Sequence, residues 1–234
     1  MGAADGLRTV VFASGGGSNF QALIDRFGDG DEGVSLAGLV ASREDAGAIG
    51  RARAAGIPAV VAAGAREEER LVDAMRTFDP GLVVLAGYMR LVPTAIVREW
   101  WGRIINVHPA LLPSFGGKGM YGGRVHAAVL AAGARVTGVT VHFVDEAYDR
   151  GPIILQWPVP VLDGDDAASL AARVLRVEHR LLPDVVAAIA AGRVTLGSDG
   201  RVRWRPGAFE GEAFEIAGID GETIYPGSAR EGKT

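Results

Sequence analysis

The sequence predicts an α/β protein built on an open, mostly parallel twisted sheet of about seven strands flanked by helices. Short apolar segments alternate with segments of helical periodicity along the chain, which is the order that a parallel sheet requires. The apolar segments are almost continuous, as expected of strands that helices cover on both faces. Hydrophobic residues make up 48% of the 234 residues, which is enough to bury a substantial core.

The elements are predicted in the following order. Strands are expected over Leu7–Ala13, Val34–Val40, Pro58–Ala62, Leu82–Ala86, Ile104–Val107, Val136–Val144 and Ile153–Val159. Helices are expected over Asn19–Phe27, Glu44–Ala55, Arg66–Phe78, Pro93–Trp100, Val125–Ala132 and Asp166–Ala191. A hairpin over Arg193–Trp204, closed by the turn Asp199-Gly200, follows the last helix. We therefore expect one main domain over residues 1–192, and a C-terminal hairpin with a partly irregular tail over residues 193–234.

The composition narrows the classes of function. With no cysteine, the chain can form no disulfide, thiolate metal site or cysteine nucleophile, and its four histidines lack the helical spacing of metal ligands. The net charge of −4 comes from mixed charges without a basic stripe, so nucleic acid is not an expected partner. No apolar run reaches the ~18 residues of a membrane span, and the start of the chain lacks a signal-peptide core. We expect a cytoplasmic protein with no membrane partner.

A glycine-rich turn, Ser14–Asn19, links the first predicted strand to the first predicted helix. Glycines let the backbone approach a ligand closely, and a helix start offers free N–H groups and a positive dipole end, so phosphate is the expected ligand. Phe20 stands where a dinucleotide fingerprint needs a third glycine, and the lysine of a P-loop is missing. The turn therefore favours a single phosphate over NAD or a nucleoside triphosphate. The structural alternative is a tight turn capped by Ser18 or Asn19.

The segment RIINVHPALLPSF, residues 103–115, carries the strongest sign of chemistry. It begins as a buried strand and stops at Pro109, and because side chains alternate along a strand, Asn106 and His108 point to the same face. The carboxyl ends of strands in open parallel sheets are where ligands bind. An amide can hydrogen-bond a carbonyl oxygen, and an imidazole can carry a proton near neutral pH. A hydrogen-bonded pair with a purely structural role is the alternative.

An acidic loop follows the sixth predicted strand. If that strand runs parallel to the one carrying His108, the loop emerges at the same sheet edge, where a carboxylate beside His108 would stabilise the imidazolium. Asp149 is preferred for this role over Asp145 and Glu146, and a solvated acidic loop is the alternative. His142, on the strand itself, is interpreted as a structural histidine rather than a second catalyst.

Glu178 lies within the apolar stripe of the last long helix. A buried carboxylate is costly without a partner, so this side chain either binds a ligand or answers a local need of the backbone. Because Pro183 removes one helical hydrogen bond, a kink-associated Glu178–His179 pair is the structural alternative to substrate contact.

Five ordered blocks carry a resemblance to a known family. They are SGGGSNFQALID, VVLAGYMRLV, INVHPALLPSF, GVTVHFVDEAYDRGPIILQWPVPV and the pair Glu178-His179. Together they resemble phosphoribosylglycinamide formyltransferase, the folate-dependent enzyme of purine synthesis, over about residues 7–190. The resemblance implies a Rossmann-like formyltransferase fold over residues 1–192 and transfer of a formyl group from the co-substrate 10-formyltetrahydrofolate to the amine of glycinamide ribonucleotide. It also implies small-molecule substrates, no metal, and a monomer or homodimer.

Carried over residue by residue, the resemblance implies roles for three sets of residues. The catalytic set would be Asn106, His108 and Asp149. The ribonucleotide would be bound by Gly17, Ser18, Asn19 and Glu178, with the turn at its phosphate end. The folate would be bound by Arg66, Met89, Arg90, Leu91, Val92, Asn106, Asp145 and Glu146. By sequence pattern alone, Met89 and Leu91 are core residues and Arg66 is a solvated helix charge.

Two points of this assignment stay open. Arg70 competes with Arg66 as the folate-binding arginine, because both lie in the run REEER. After Phe115 the chain departs from the short proline-glycine turn of the family, so it is open which residues of Gly116–Gly123 contact the substrate. Within that segment Lys118 is either a phosphate ligand or a solvated charge.

Three other classes of protein are alternatives. Methionyl-tRNA formyltransferase resembles a longer chain with a tRNA-binding domain, and formyltetrahydrofolate deformylase carries a regulatory domain before its catalytic part. Little follows Ala191 here, and about six residues precede the first predicted strand. A nucleotide-binding module without catalysis would explain the glycine-rich turn but would leave Asn106, His108 and Asp149 without a role. Formyl transfer to the ribonucleotide is therefore the expected activity.

Overall fold

The structure, a computed structural model, describes residues 6–205. Within this range the main sheet has seven strands, β1 (Leu7–Ala13), β2 (Val34–Ala41), β3 (Ala59–Val61), β4 (Leu82–Leu85), β5 (Ile104–His108), β6 (Val136–Phe143) and β7 (Ile153–Pro160). The α-helices of the same range are α1 (Ser18–Phe27), α2 (Gly47–Ala54), α3 (Glu67–Phe78), α4 (Thr94–Glu99), α5 (Gly123–Ala131) and α6 (Ala167–Ala190). Short 3-10 turns at Asp31–Gly33 and Gly64–Arg66 precede β2 and α3.

The strand order opens a crevice at one edge of the sheet. The order is β3-β2-β1-β4-β5-β6-β7, with β1 to β5 parallel and β6 antiparallel to both of its neighbours. The order reverses between β1 and β4, so the chain leaves these two strands in opposite directions. Ligands bind at such a switch point, outside the carboxyl ends of the strands. The glycine-rich turn after β1 and the segment after β4 both begin there.

Helices cover both faces of this sheet. Along β1, Val11 and Ala13 belong to an apolar cluster with α1, α2, α5 and α6, whereas Val10 and Phe12 belong to a second cluster with α3 and α4. This alternation is what a strand buried on both faces requires, and it explains why the apolar segments are continuous in sequence. The predicted fold class is confirmed.

The direction of β6 differs from the parallel arrangement considered from the sequence. Ile105 pairs with Phe143 and His108 pairs with Thr140 in an antiparallel register, because the segment between β5 and β6 returns the chain to the carboxyl end of β5. The acidic loop therefore leaves β6 beside the amino end of β5 and folds back to reach His108. Gly151 lets the end of this loop lie against the end of β6, since a Cβ at this position would overlap the carbonyl oxygen of Phe143.

The ends of the helices follow local chemistry. α2 begins at Gly47 rather than at the predicted Glu44, and α4 begins after Pro93. Asp166 and Ser169 form a reciprocal capping box at the start of α6, which satisfies two otherwise free N–H groups. Pro183 lies inside α6, and the helix continues past it to Ala190.

The predicted C-terminal hairpin is present as β8 (Val194–Leu196) and β9 (Val202–Trp204), which pair antiparallel. The predicted tail lies outside the described residues from position 206 onward, and the domain boundary after residue 192 stays a prediction. Between residues 6 and 205, none of the helices combines the length and the apolar character needed to cross a membrane.

Candidate active site

Asn106 and His108 lie on one face of β5, at the end of the strand that borders the crevice. Asn106 pairs with His142 of β6, and its Nδ2 atom lies 3.1 Å from Nε2 of that histidine. The other ring nitrogen of His142, Nδ1, lies 2.8 Å from the carbonyl oxygen of Phe143. A carbonyl oxygen only accepts, so Nδ1 carries the proton and Nε2 of the neutral ring accepts from Asn106. This contact fixes the orientation of the Asn106 amide.

The surroundings of His142 keep its ring neutral. Burial is the largest influence and lowers the pKa of His142, while the Phe143 carbonyl and the charge of Asp149 act in the opposite direction. Nε2 therefore stays available as an acceptor at neutral pH. The interpretation of His142 as a structural histidine did not foresee its contact with Asn106, because that contact depends on the antiparallel register.

His108 has an acceptor oxygen on each side of its ring. Nε2 lies 2.8 Å from the carbonyl oxygen of Phe115, and Nδ1 lies 3.7 Å from Oδ2 of Asp149. Nε2 must therefore donate its hydrogen to this carbonyl, and Nδ1 faces the Asp149 carboxylate beyond hydrogen-bond distance. The side chains of His108 and Asp149 are 4% and 11% exposed, so water screens their interaction little.

The backbone holds Asp149 in place. Asp149 adopts a left-handed φ of 55°, and the N–H of Gly117 donates to its Oδ2 at 2.8 Å. A Cβ on Gly116 would lie 3.2 Å from the Cβ of Asp149, so the loop and the glycine-rich segment pack closely. The other carboxylate oxygen, Oδ1, lies 3.8 Å from Nε2 of His142. One carboxylate thus faces both histidines.

Thr140 fixes the chain immediately beyond His108. Its hydroxyl donates to the carbonyl oxygen of Ala110 at 2.7 Å and accepts from the N–H of Leu112 at 3.0 Å and from the amide of Gln156 at 3.0 Å. The residue is fully buried. These bonds set the direction of the segment that carries the Phe115 carbonyl back to His108.

The carbonyl groups of the glycine-rich turn are bound by α2. The carbonyl oxygen of Gly15 accepts from the N–H of Ala48 at 3.1 Å, and that of Gly16 accepts from Nε of Arg51 at 2.8 Å. Gly17 has a left-handed φ of 72°, and a Cβ there would lie 2.7 Å from the Cβ of Ala48. Glycine is therefore required at this position.

Asn19 connects the turn to α6. Among residues 6–205 no side chain caps α1, which begins at Ser18, so the alternative of a cap by Ser18 or Asn19 is wrong. The amide nitrogen of Asn19 instead donates to Oε2 of Glu178 at 2.5 Å. Both side chains are buried, and Oδ1 of Asn19 has no hydrogen-bond partner within the part of the chain described.

Glu178 brings a buried carboxyl group to the same place. Burial raises the pKa of Glu178, and the bond from Asn19 opposes this effect in part. The kink-associated pair with His179 is wrong, because Glu178 bonds Asn19, whereas the buried Nε2 of His179 finds no hydrogen-bond partner among residues 6–205.

These side chains meet at one cavity of about 600 Å³. Asn19 and Glu178 line it together with Asn106, His108 and Asp149. A smaller hollow of about 60 Å³ adjoins it and shares Asn106 and Asp149. Among residues 6–205 there is no group of three or more histidine, aspartate or glutamate side chains that could hold a metal ion.

Besides Asn106, five of the residues expected to bind folate line either the cavity or the smaller hollow. Met89 borders the larger cavity, and its N–H donates to Oγ of Ser14 at 2.9 Å. The smaller hollow is lined by Arg90, Leu91, Val92 and Asp145. The Arg90 guanidinium is bonded to the carboxylate of Glu67.

The remaining expected folate contacts lie outside both spaces. Nε of Arg66 pairs with Glu69 at 2.7 Å and its side chain is 76% exposed, and Arg70 donates to a backbone carbonyl. Glu146 pairs with Arg98 at 2.7 Å on the surface. The structure therefore brings neither arginine of the run REEER to the cavity. A folate role for Arg66 stays a prediction.

The segment that departs from the family closes one side of the cavity. Its residues that line the cavity are Gly117, Gly119, Met120, Tyr121, Gly122 and Gly123, whereas Lys118 is exposed and lies outside the lining. His126, on the helix that follows, lines the cavity as well. The sequence reasoning did not single out His126, because a histidine on an apolar helix face looks like an ordinary core residue.

This fold and this site define a class of enzyme. A family model described as "Formyl transferase" matches residues 7–186, and the chain belongs to this family.

Similar proteins share a more specific name. A phosphoribosylglycinamide formyltransferase of Vigna unguiculata, named as chloroplastic, is 44% identical over 82% of this chain and 64% of its own length. The protein of the same name from Bacillus subtilis (strain 168) is 37% identical over 76% of this chain and 91% of its own. A crystal structure of phosphoribosylglycinamide formyltransferase from Anaplasma phagocytophilum has a TM-score of 0.79 at 37% identity, covering 88% of this chain and 97% of that one.

Two consequences follow from these matches. The chain spans slightly less than two thirds of the Vigna unguiculata relative and most of the bacterial ones. Because plant relatives are named as chloroplastic, the relatives do not share one compartment, and the cytoplasmic location stays a prediction.

Proposed function

We propose that this protein transfers the formyl group of 10-formyltetrahydrofolate to the primary amine of N1-(5-phosphoribosyl)glycinamide, giving formylglycinamide ribonucleotide and tetrahydrofolate. The observation that carries the proposal is the meeting of Asn106, His108 and Asp149 at a cavity that Asn19 and Glu178 also line. The shared name of the relatives supports the same acceptor. The family match to residues 7–186 supports a catalytic domain over residues 1–192.

The proposed reaction forms one bond and breaks another at the formyl carbon. The amine nitrogen of the ribonucleotide attacks this carbon, and the carbonyl electron pair moves onto oxygen. The carbon–nitrogen bond to N10 of the folate then breaks, and the proton lost by the amine replaces the formyl group on N10. The protein must therefore stabilise an oxyanion and help a proton to move.

Asn106 and His108 are suited to the oxyanion. One N–H of the Asn106 amide is taken by His142, which leaves the other for the developing charge. Nε2 of His108 is bound to the Phe115 carbonyl, so Nδ1, which lies 3.7 Å from Oδ2 of Asp149 and outside hydrogen-bond distance, would be the atom that donates to the oxygen, with charge when the ring carries both protons. Removing one such donor typically lowers turnover by about 10²–10³-fold.

Asp149 is suited to accept the proton that the amine loses. Its carboxylate lies close to both histidines, where it stabilises the charged form of His108 and accepts a proton from the amine directly or through water.

The two substrates would lie side by side across the crevice. The phosphate would be bound by the N–H groups of Gly17, Ser18 and Asn19 at the start of α1, and Glu178 would contact the ribonucleotide. The folate would lie in the larger cavity on the side of Met89 and reach from there into the hollow next to Asn106. Holding both reactants in one cavity supplies the orientation that the reaction needs.

Hydrolysis of the formylfolate is the competing activity, since water could replace the amine as nucleophile. The turn at Gly17 and the buried Asn19–Glu178 pair would have no task in that reaction. These features therefore favour a ribonucleotide acceptor over water.

The decisive experiment follows tetrahydrofolate formation spectroscopically with and without the ribonucleotide. We expect turnover only when both substrates are present. His108→Ala and Asp149→Asn should each lower turnover by about 10²-fold or more, with little change in ribonucleotide affinity measured by calorimetry. Asp163→Asn, which removes an exposed carboxylate, is the matched control and should behave as wild type.

Two outcomes would contradict the proposal. Folate turnover that is independent of the acceptor would establish a hydrolase instead. Unchanged turnover in His108→Ala or in Asp149→Asn would remove that residue from the mechanism.

A further inference from the structure

His126 brings to the cavity an imidazole whose Nδ1 atom has no hydrogen-bond partner among residues 6–205. The residue lies on α5, is 4% exposed, and borders the cavity next to Gly122 and Gly123. Its Nδ1 atom is buried and has no hydrogen-bond partner within residues 6–205. Buried polar atoms are nearly always paired, because an unpaired one costs about 1–3 kcal/mol. An imidazole at the wall of the cavity is also placed to bind a ligand there.

The comparison with His142 shows why a structural role does not explain His126. His142 is equally buried, and both of its ring nitrogens are bound by the protein, at Asn106 and at Phe143. Such complete pairing is what a structural histidine needs. His126 lies beside a cavity and keeps a ring nitrogen unpaired.

The charge state of His126 narrows the kind of ligand. Burial lowers the pKa of His126, and the charge of His108 lowers it further. A neutral imidazole offers one donor and one acceptor, which matches an amide or a hydroxyl group. A phosphate would prefer a cation, so the phosphate end of a ligand is not the expected partner.

The position of His126 indicates which group of the ribonucleotide it would bind. Asn19 and Glu178 mark the side of the cavity where the nucleotide part would bind, and Met89 marks the folate side. His126 lines the same cavity as His108, which stands at the proposed point of transfer. The neutral group of the acceptor closest to its reacting amine is the amide that joins the glycyl unit to the ribose.

We propose that the imidazole of His126 hydrogen-bonds the amide of the glycinamide arm of the acceptor, and thereby positions the attacking amine. The inference rests on the proposed function and assigns His126 to acceptor binding alone. Under this inference the glycine-rich segment before α5 does more than line the cavity, since it also determines where α5 places His126.

The test compares His126→Phe with His126→Gln. Phenylalanine fills the space but cannot hydrogen-bond, whereas glutamine can place an amide near the ring nitrogens. We expect His126→Phe to raise the KM and the calorimetric Kd for N1-(5-phosphoribosyl)glycinamide by about 3- to 10-fold, the loss of one neutral hydrogen bond. The Kd for a folate analogue that cannot transfer a formyl group should stay unchanged, and His126→Gln should recover most of the acceptor affinity.

Val129→Ala is the matched control for damage to α5. Val129 lies on the same helix and is fully buried in the core, so its truncation should lower the melting temperature without changing acceptor affinity. Equal loss of acceptor affinity in Val129→Ala and His126→Phe would overturn the inference, and so would a fall in kcat with unchanged acceptor affinity. If His126→Phe does not fold, acceptor affinity in His126→Gln decides between the same outcomes, with a loss greater than 10-fold counting against the inference.

The experiments distinguish failure of the proposed function from failure of the role of His126. Wild-type protein that does not formylate this ribonucleotide would overturn both ideas together. Wild-type activity combined with full acceptor affinity in His126→Phe would overturn only the role of His126.

Discussion

The orientation of a single amide depends on which nitrogen of a neighbouring histidine carries a proton. Nδ1–H of His142 donates a hydrogen bond to the Phe143 carbonyl, so Nε2 of the neutral ring can only accept, and Asn106 must turn its Nδ2 toward it. The second N–H of Asn106 then remains for the substrate. In the proposed mechanism, His142 is thus a positioning residue that acts through Asn106.

Replacing His142 should reduce turnover through Asn106 while leaving the substrates bound. In His142→Phe the amide of Asn106 loses its fixed orientation, and we expect kcat to fall roughly tenfold, below the 10²–10³ of a deleted donor. His142→Gln keeps an acceptor near the position of Nε2 and should recover most of the activity. Steady-state kinetics with both substrates provides the measurement. A KM that changes while kcat does not would show that the residue has another role.

The catalytic set shows how far the sequence reaches at this scale. Period-two alternation was sufficient to place Asn106 and His108 on one face, and the choice of Asp149 was made for a strand direction that proved wrong. Asp149 reaches His108 because its loop folds back, which depends on long-range contacts with Gly116 and Gly117. Such contacts have no local signature in the chain.

At the scale of elements, α2 is a clamp on the glycine-rich turn. The N–H of Ala48, near the start of α2, donates to the carbonyl oxygen of Gly15. The Arg51 side chain donates to the carbonyl oxygen of Gly16 and, at 2.9 Å, to the side-chain oxygen of Gln21. With these carbonyls bound on the side of α2, the turn keeps one conformation before any ligand arrives. A preorganised turn binds an anion with less loss of backbone freedom.

Removing the Arg51 clamp should weaken ribonucleotide binding selectively. Arg51→Met keeps the aliphatic stem but loses two hydrogen bonds and a cation near the turn. We expect the KM for the ribonucleotide to rise about 10-fold, because hydrogen bonds to charged groups contribute about 1.5–3 kcal/mol. The folate KM should remain near that of wild type. Arg53→Met, an exposed arginine of the same helix, is the control with the same change of net charge, and equal effects of the two substitutions would refute the clamp.

At the scale of the whole molecule, the sequence predicts the sheet and the helices that cover it, but not the route of the chain between the strands. The alternation of apolar and helical segments predicted the sheet and its covered faces, because burial acts on every residue of a strand. The path of residues 109–135 decides the direction of β6, and no periodicity encodes it. The same limit applies to Arg66, whose helix was predicted from residue 66 but whose side chain points to solvent beside Glu69.

The binding site also lowers the stability of the molecule that contains it. Glu178 and Asp184 are carboxyl groups of α6 whose pKa values burial raises, so each costs folding free energy when charged. Asp184 is compensated by the guanidinium of Arg26, whereas the partner of Glu178 within residues 6–205 is the neutral amide of Asn19. If Glu178 binds the ribonucleotide as a carboxylate, as proposed, the site has this charge at the expense of stability.

Glu178→Gln should therefore stabilise the protein in a pH-dependent way. Because the pKa of Glu178 is raised in the folded state, its favourable contribution is complete below the ordinary value near 4.5 and is lost as the pH rises through the folded value. Glutamine keeps a side-chain carbonyl for Asn19 and has no charge to bury, so the variant should melt at a higher temperature than wild type at pH 8, and the difference should shrink toward pH 4.5. Glu68→Gln, which removes an exposed carboxylate, should show no such trend. Thermal unfolding across this range, paired with ribonucleotide titrations, would show a gain in stability and a loss of affinity in the same variant. A melting difference that is constant with pH would mean that Glu178 does not titrate in the folded protein.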